Sequence, residues 1–197
     1  MDKKTDEQKR QEQWIISSLE NSLINIVPMK VIQSFSNWLS SSNIELFNSA
    51  VHAVNTILLA KGKDFSKKDI SLKLLQSDIV NDIIRPGDPI LKHSLFSIIN
   101  VLLEHTFEYE PIRYNPNEGM FEFEVPLIAH LSSEHYIAIT QINGAEIQHS
   151  DMGKEKTMSR DKLITYLTNI ALVPHPDKIQ HVKFRKMSDT ECAYVWG

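Results

Sequence analysis

A hydroxyl residue, a histidine and a carboxylate follow one another in an order that suits nucleophilic catalysis. Ser49 stands at the start of an apolar helical pattern, directly after Asn48. His135 opens an apolar stretch typical of a strand, and Asp151 follows sixteen residues later. An acid beside a histidine fixes the tautomer of the ring and stabilises its protonated form, while the ring activates the nucleophile. Ser49, His135 and Asp151 are therefore the candidate catalytic residues.

The location of residue 49 favours a thiol over a hydroxyl. Backbone N–H groups and the dipole at the start of a helix lower the pKa of a thiol and stabilise an oxyanion. A serine hydroxyl needs stronger help from a general base and forms no stable ion pair with a histidine. We therefore interpret Ser49 as standing where a cysteine nucleophile belongs, through either an engineered cysteine-to-serine change or natural descent as a pseudoenzyme.

The strands that carry the histidine and the acid are predicted to form a hairpin. Alternating and apolar patterns predict strands over 135–142 and 145–150, and Asn143-Gly144 lies between them. This dipeptide is a strong signal for a two-residue hairpin turn. Because hairpin strands run antiparallel, His135 and Asp151 are expected at the same end, opposite the turn.

Helical patterns dominate the first half of the chain and strand patterns the second. Apolar residues at helical spacing predict two helices within residues 1–42 and three more over about 49–61, 66–76 and 91–103. Further strands are predicted over 106–114, 120–129 and 181–187, and a helix over 159–172. Helices followed by a mostly antiparallel sheet indicate an α+β fold.

The composition indicates a globular protein and excludes several classes of function. The 197 residues are 42% hydrophobic and 23% charged, which suits an ordered domain of moderate size. The net charge of −4 argues against a nucleic-acid binder that neutralises phosphates. No apolar run approaches the roughly 18 residues of a membrane span. The N-terminus lacks the hydrophobic region of a secretory signal peptide.

The single cysteine and the histidines exclude two further kinds of site. Cys192 alone cannot form an internal disulfide and fits a reducing compartment, so we expect a cytoplasmic protein. Delivery into a host cytosol by a specialised secretion system stays open. The histidines show no metal-ligand spacing with cysteine or acids, so no metal and no cofactor are expected.

Several segments resemble one family of proteins, in the same order along the chain. Residues 49–58, followed by Phe65-Ser66, resemble the nucleophile helix of Josephin-type deubiquitinases, which runs Cys-Ala-x-His-x-x-Asn-x-Leu-Leu and then Phe-Ser. Residues 95–99 resemble that family's Phe-Phe-Ser-Ile-x-Val stretch, and 134–136 resemble its Glu-His-Trp. Asn48-Ser49 and His135-Tyr136 also fit the ovarian-tumour deubiquitinases, another papain-like group.

The resemblance implies a papain-like fold, in which a helical N-terminal part packs against a mostly antiparallel sheet. The helical patterns predict an N-terminal extension over 1–42, the resemblance implies a catalytic domain over 43–187, and residues 188–197 are expected to form a C-terminal tail. By the same resemblance, position 49 holds the nucleophile, His135 is the general base and acid, and Asp151 is the third member of the triad.

One position departs from the family pattern besides residue 49. Ile44 stands where the family has the glutamine of its oxyanion hole, about five residues before the nucleophile. Asn43 and Asn48 are the candidate replacements, since their side-chain amides are hydrogen-bond donors. The sequence does not choose between them.

Three functions follow from these residues and from the resemblance. The first is a deubiquitinase-like isopeptidase that acts on ubiquitin, a ubiquitin-like protein or a ubiquitin-conjugated host protein. The second is a glutamine deamidase or transglutaminase, because both use the same thioester chemistry. The third is a non-catalytic module that binds ubiquitin. A composition rich in isoleucine, asparagine and lysine is compatible with a bacterial effector.

A rival catalytic scheme uses Cys192 as the nucleophile. The order His135, Asp151, Cys192 matches that of adenovirus-protease-like and SUMO-protease-like enzymes. However, no apolar helical pattern follows Cys192, so we expect a free thiol in a tail.

Overall fold

Between residues 4 and 197, which the computed structural model describes, the chain folds as helices followed by a seven-stranded sheet. The helices are α1 (Asp6–Leu23), α2 (Met29–Leu39), α3 (Ser49–Ala60), α4 (Lys67–Val80), α5 (Leu95–Glu104), α6 (Arg160–Ile164) and α7 (Asp189–Cys192). The strands are β1 (Glu110–Tyr114), β2 (Leu127–Leu131), β3 (His135–Asn143), β4 (Glu146–Asp151), β5 (Lys154–Ser159), β6 (Leu167–Val173) and β7 (Phe184–Lys186). The strands pair antiparallel in the order β5-β4-β3-β2-β6-β1-β7, which confirms the predicted α+β class.

Five of the helices begin directly after a polar side chain that accepts a hydrogen bond from their first turn. These capping residues are Thr5, Asn48, Ser66, Ser94 and Ser188. The N–H groups of a first turn have no acceptor within the helix, so such caps define where each helix starts. The cap at residue 94 explains why α5 begins four residues later than its apolar pattern predicts.

Helix α3 lies at the centre of the fold, between the other helices and the sheet. Its residues Val54 and Ile57 are fully buried, in one cluster with Leu74 of α4, Ile98 of α5 and Ala138 of β3. A helix that is apolar on nearly every side belongs in a protein core. Residue 49, at the first turn of α3, is consequently held by a rigid, fully packed element.

Two tight turns shape the edge of the sheet. The β3–β4 hairpin is present, but its turn residues are Gly144 and Ala145, one position later than predicted. Gly144 has a φ of 62°, which glycine adopts at no steric cost. A second two-residue turn, Met152-Gly153, has positive φ at both positions and joins β4 to β5.

The prediction of a helix over 159–172 is wrong beyond residue 164. Helix α6 ends there, and β6 takes the central place between β2 and β1. Residues 170–173 are buried on both faces of the sheet, so they form a continuous apolar run without alternation. Periodicity cannot distinguish such a run from a buried helix.

The last ten residues pack against the helical half. Leu95 donates its N–H to the carbonyl of Val195 at 2.9 Å, and His93 and Gly197 exchange two backbone hydrogen bonds at 3.0 and 3.2 Å. Cys192, expected as a free thiol in a tail, is fully buried. No helix between residues 4 and 197 is long and apolar enough to cross a membrane.

A buried carboxylate anchors the segment that receives these last residues. Asp78 of α4 is fully buried, and its Oδ1 accepts the Ser94 hydroxyl at 2.6 Å. Its Oδ2 accepts the Ser94 N–H at 3.3 Å and lies 2.9 Å from Nδ1 of His93. Since a buried charge is tolerated only with such partners, the Asp78 cluster fixes the start of α5.

We expect Asp78→Ala to lower the free energy of unfolding by about 3–5 kcal/mol, because it leaves buried partners without their acceptor. Urea unfolding followed by circular dichroism measures the loss. The control Asp88→Ala removes an exposed carboxylate and should stay within about 0.5 kcal/mol of the native chain. Equal effects of the two substitutions would show that the Asp78 cluster does not stabilise the fold.

Candidate active site

Residue 49 occupies the first position of α3, and its side chain points at the sheet. The Asn48 side chain caps the helix by accepting the Val51 N–H at 3.4 Å. Ser49 is only 4% exposed, and its Oγ accepts the backbone N–H of Tyr136 at 3.2 Å. The Ser49 hydroxyl is therefore bound to the residue that follows His135, and it lies at the positive end of the helix dipole.

The structure brings His135 and Asp151 into direct contact. Nε2 of His135 lies 2.7 Å from Oδ1 of Asp151, as expected for residues at the same end of a hairpin. Because the carboxylate engages Nε2, the other ring nitrogen is the one left for a group at position 49. Within residues 4–197, no hydrogen bond joins Ser49 to the His135 ring.

The second oxygen of Asp151 binds a lysine that the sequence did not single out. Oδ2 of Asp151 accepts a hydrogen bond from Nζ of Lys156 at 2.6 Å, across the β4–β5 turn. Partial burial by itself raises the pKa of Asp151, but the hydrogen bonds from Lys156 and His135 outweigh it and lower the pKa below its ordinary value. Asp151 is thus held as a carboxylate between two donors.

Neither asparagine proposed for an oxyanion hole has an uncommitted side chain. Nδ2 of Asn48 donates to the carbonyl of Leu91 at 3.2 Å, while its oxygen caps α3. Asn43 is exposed, and its Nδ2 lies 3.5 Å from the carbonyl of Pro89. Ile44 is 1% exposed and belongs to the core. The N–H groups in the first turn of α3 are the donors that the site offers by its backbone.

Two surface cavities are lined by residues that lie close to the candidate triad in the sequence. One, of about 480 Å³, adjoins His135 through Glu134, which pairs with Lys92, and is also lined by Trp38 and Trp196. The other, of about 580 Å³, is lined by Phe47 and His52 near Ser49, by Met152 next to Asp151, and by α1 residues Glu7, Gln8 and Gln11.

The structure also shows the surroundings of Cys192, the nucleophile of the rival scheme. Its side chain is fully buried beneath α5. Burial, together with the nearby carboxylates of Asp189 and Glu191, raises the pKa of the Cys192 thiol to about 12. An inaccessible thiol that resists ionisation is a poor nucleophile, so this geometry favours residue 49 over Cys192.

Sequence reasoning missed two contributors to the site. The Tyr136 N–H that binds Ser49 is a backbone group, which no residue type reveals. Lys156 lies on β5, an exposed edge strand with the sequence Lys-Glu-Lys-Thr-Met-Ser and no apolar alternation to predict it. Only the pairing of β5 with β4 brings this lysine to Asp151.

The fold is similar to solved structures of a protease and of a peptidase domain. A double glycine motif protease from an AMS/PCAT transporter, crystallised in complex with the leader peptide, superposes with a TM-score of 0.53 at 15% identity, over 66% of this chain and 84% of that one. The peptidase domain of Streptococcus ComA, a bi-functional ABC transporter involved in quorum sensing, gives a TM-score of 0.52 at 13% identity, over 66% and 93%. No family model and no curated protein sequence matches the chain.

These similarities identify the fold as papain-like. The two similar structures are described as a protease of a transporter and as the peptidase domain of an ABC transporter. They give no support to the narrower resemblance to Josephin-type or ovarian-tumour deubiquitinases. At 13–15% identity the similarity establishes the fold, while the activity has to be argued from the site.

The lowered pKa of Asp151 predicts how acid affects stability. A carboxylate whose pKa is lower in the folded than in the unfolded chain stabilises the fold above its ordinary pKa of 3.8, and this contribution is lost as the pH falls through the folded value. We therefore expect Asp151→Asn to lose less unfolding free energy than the native chain between about pH 6 and about pH 3.

Urea unfolding at a series of pH values measures this difference. The control Asp64→Asn changes an exposed acid in the α3–α4 loop and should keep the native pH dependence. If Asp151→Asn also follows the native curve, the contacts with His135 and Lys156 do not persist in solution.

Proposed function

We propose that this chain binds a polypeptide beside the start of α3 and that, with a cysteine at position 49, it hydrolyses an amide bond of that polypeptide. The thiol attacks the carbonyl carbon while His135 takes the thiol proton and passes it to the leaving amine. Asp151 orients the ring and stabilises its protonated form. Water then attacks the thioester, which releases the acid and restores the thiol.

The observation that carries this proposal is the contact between Nε2 of His135 and Oδ1 of Asp151 at 2.7 Å, beside the first turn of α3. The acid fixes the ring so that its remaining nitrogen is available to residue 49. The helix start supplies N–H groups and a positive field for the developing oxyanion. Acyl transfer is the reaction class that uses all of these groups together.

Ser49 determines what the chain does as it stands. Its Oγ accepts an N–H from Tyr136 and, within residues 4–197, has no hydrogen bond to the His135 ring. A hydroxyl without general-base help is a weak nucleophile. For the chain with Ser49 we therefore propose polypeptide binding without efficient cleavage. This holds whether Ser49 arose by engineering or by descent.

The burial of Ser49 supports a substrate with glycine on the acyl side. Ser49 is 4% exposed, so a bulky side chain next to the scissile carbonyl would be hindered from reaching it. One of the similar structures is described as a double glycine motif protease bound to a leader peptide. We extend that description to this chain as a proposal: a polypeptide whose cleaved segment ends in Gly-Gly.

Ubiquitin is the narrower alternative that the sequence resemblance implies, and it is tested beside the first. Ser49→Cys is incubated with a peptide that carries an aldehyde after Gly-Gly, and separately with ubiquitin that carries a C-terminal vinyl sulfone. Intact-mass and peptide mass spectrometry locate the adduct. We expect the introduced thiol to react with the Gly-Gly peptide, whereas the native Ser49 chain and the buried thiol of Cys192 stay unmodified.

Alkylation by iodoacetamide near pH 6 tests the catalytic arrangement without any substrate. We expect the thiol of Ser49→Cys to react roughly 100-fold faster than that of Ser49→Cys combined with His135→Ala, because a positioned base contributes about that factor. Equal rates in the two proteins would contradict the proposed role of His135.

The remaining outcomes separate the other functions. An adduct with the ubiquitin probe alone moves the assignment to a ubiquitin isopeptidase. A mass increase of about 1 Da on a glutamine of a protein substrate indicates deamidation by the same thioester chemistry. Binding of the Gly-Gly peptide without reaction of Ser49→Cys identifies a non-catalytic module.

A further inference from the structure

The distance between residue 49 and the His135–Asp151 pair has to be set by contacts outside the triad. The pair lies within one hairpin, whereas residue 49 lies on α3. The Tyr136 N–H joins α3 to β3, and β4, which ends at Asp151, is joined to α3 by contacts of its own. Two further contacts run from α3 to β4 and to the turn that follows it, one on each side of Asp151.

The first contact is a hydrogen bond between hydroxyl groups. Oγ1 of Thr56 lies 3.1 Å from Oγ of Ser150, the residue before Asp151. The Thr56 hydroxyl also donates to the carbonyl of His52 at 3.0 Å. A hydroxyl has one proton, so donation to that carbonyl leaves Thr56 to accept from Ser150, which is 4% exposed. The two interactions fix the orientation of both side chains.

The second contact packs a histidine ring against the β4–β5 turn. A Cβ atom at Gly153 would lie 2.8 Å from Nδ1 of His52, closer than packed atoms approach. Gly153 also has a φ of 75°, so glycine is needed there for both conformation and space. Burial, followed by the charge of Lys67, lowers the pKa of His52, so the ring packs in its neutral form.

We propose that Thr56 and His52 are positioning residues, which hold the Asp151 end of β4 against α3 and so keep the His135–Asp151 pair in line with residue 49. Neither side chain touches the reacting atoms. Thr56 bonds to Ser150, which precedes Asp151, and His52 packs against Gly153, which follows it. The backbone on both sides of Asp151 is therefore held against α3. The meaning of this alignment for catalysis rests on the proposed function, but the alignment can be measured without it.

The first experiment uses the native chain with Ser49. The ring N–H that His135 donates to Asp151 is followed by ¹⁵N-edited NMR, because a well-held hydrogen bond slows exchange of this proton with water. We expect Thr56→Val to speed that exchange about tenfold, since it keeps the side-chain shape and removes the hydroxyl. Thr56→Ser, which restores the hydroxyl, should return exchange to within about twofold of the native rate.

The matched control is Thr165→Val. Thr165 is exposed and directly follows α6. Among the contacts within residues 4–197, its hydroxyl donates only to the carbonyl of Lys162. We expect no change in exchange of the His135 proton. Faster exchange in both variants, or a lower melting temperature of Thr56→Val with unchanged exchange, would overturn the positioning role and leave Thr56 as a structural contact only.

The second experiment tests the His52 contact in the Ser49→Cys protein. The substitution His52→Ala removes the imidazole ring that packs against Gly153. We expect about tenfold slower iodoacetamide alkylation of the introduced thiol near pH 6. The rate above pH 9, where the thiol ionises without help from His135, should stay within about twofold. An equal loss at both pH values would overturn the role of His52.

These readouts separate the two proposals. If Ser49→Cys reacts no faster than its combination with His135→Ala, the proposed function fails, and the exchange of the His135 proton still decides whether Thr56 positions the pair. If Ser49→Cys is reactive and Thr56→Val leaves both exchange and alkylation unchanged, the function stands and the positioning role is wrong.

Discussion

The contacts of Tyr136 connect the parts of the molecule on which the candidate site depends. Its backbone N–H binds Ser49 at the start of α3, and its hydroxyl lies 3.2 and 3.0 Å from the carbonyls of His93 and Val195. The side chain is 1% exposed, and burial raises the pKa of Tyr136 well above its ordinary value, so the phenol keeps its proton as a donor. One buried residue therefore joins the central helix, the segment before α5, the last residues and the sheet. His135 directly precedes Tyr136 in the chain, so these contacts also fix the backbone of the candidate base.

The electrostatics of the site keep Asp151 ionised and place positive charge at residue 49, where a serine hydroxyl gains little from it. Asp151 is held as a carboxylate by His135 and Lys156, and the dipole of α3 presents positive charge at residue 49. This field would lower the pKa of a thiol, whereas a hydroxyl stays protonated far above neutral pH. Lys156 binds the same carboxylate as the His135 ring, so Asp151 accepts hydrogen bonds from two side chains.

Local signals predicted the elements that position the triad better than those that complete the sheet. The hairpin between β3 and β4 follows from a glycine turn between apolar strands, although the turn lies at Gly144-Ala145, one position from the prediction. Strand β6 was predicted as helix because it is buried on both faces. Strand β5 was missed because an exposed, charged edge strand has no apolar alternation. The errors in β5 and β6 both fall where long-range pairing, and not local preference, decides the structure.

By itself, the sequence determined an α+β chain with Ser49 at a helix start and with His135 and Asp151 at one end of a hairpin. These inferences depend on periodicity, turns and spacing, which act over a few residues. Only the tertiary structure decided that Lys156 reaches Asp151, that the Asn48 side chain is committed to Leu91 and that Cys192 is buried. It also brought Thr56 to Ser150, ninety-four residues apart in the chain. Contacts of this kind form when distant segments bury a common core, so no local pattern encodes them.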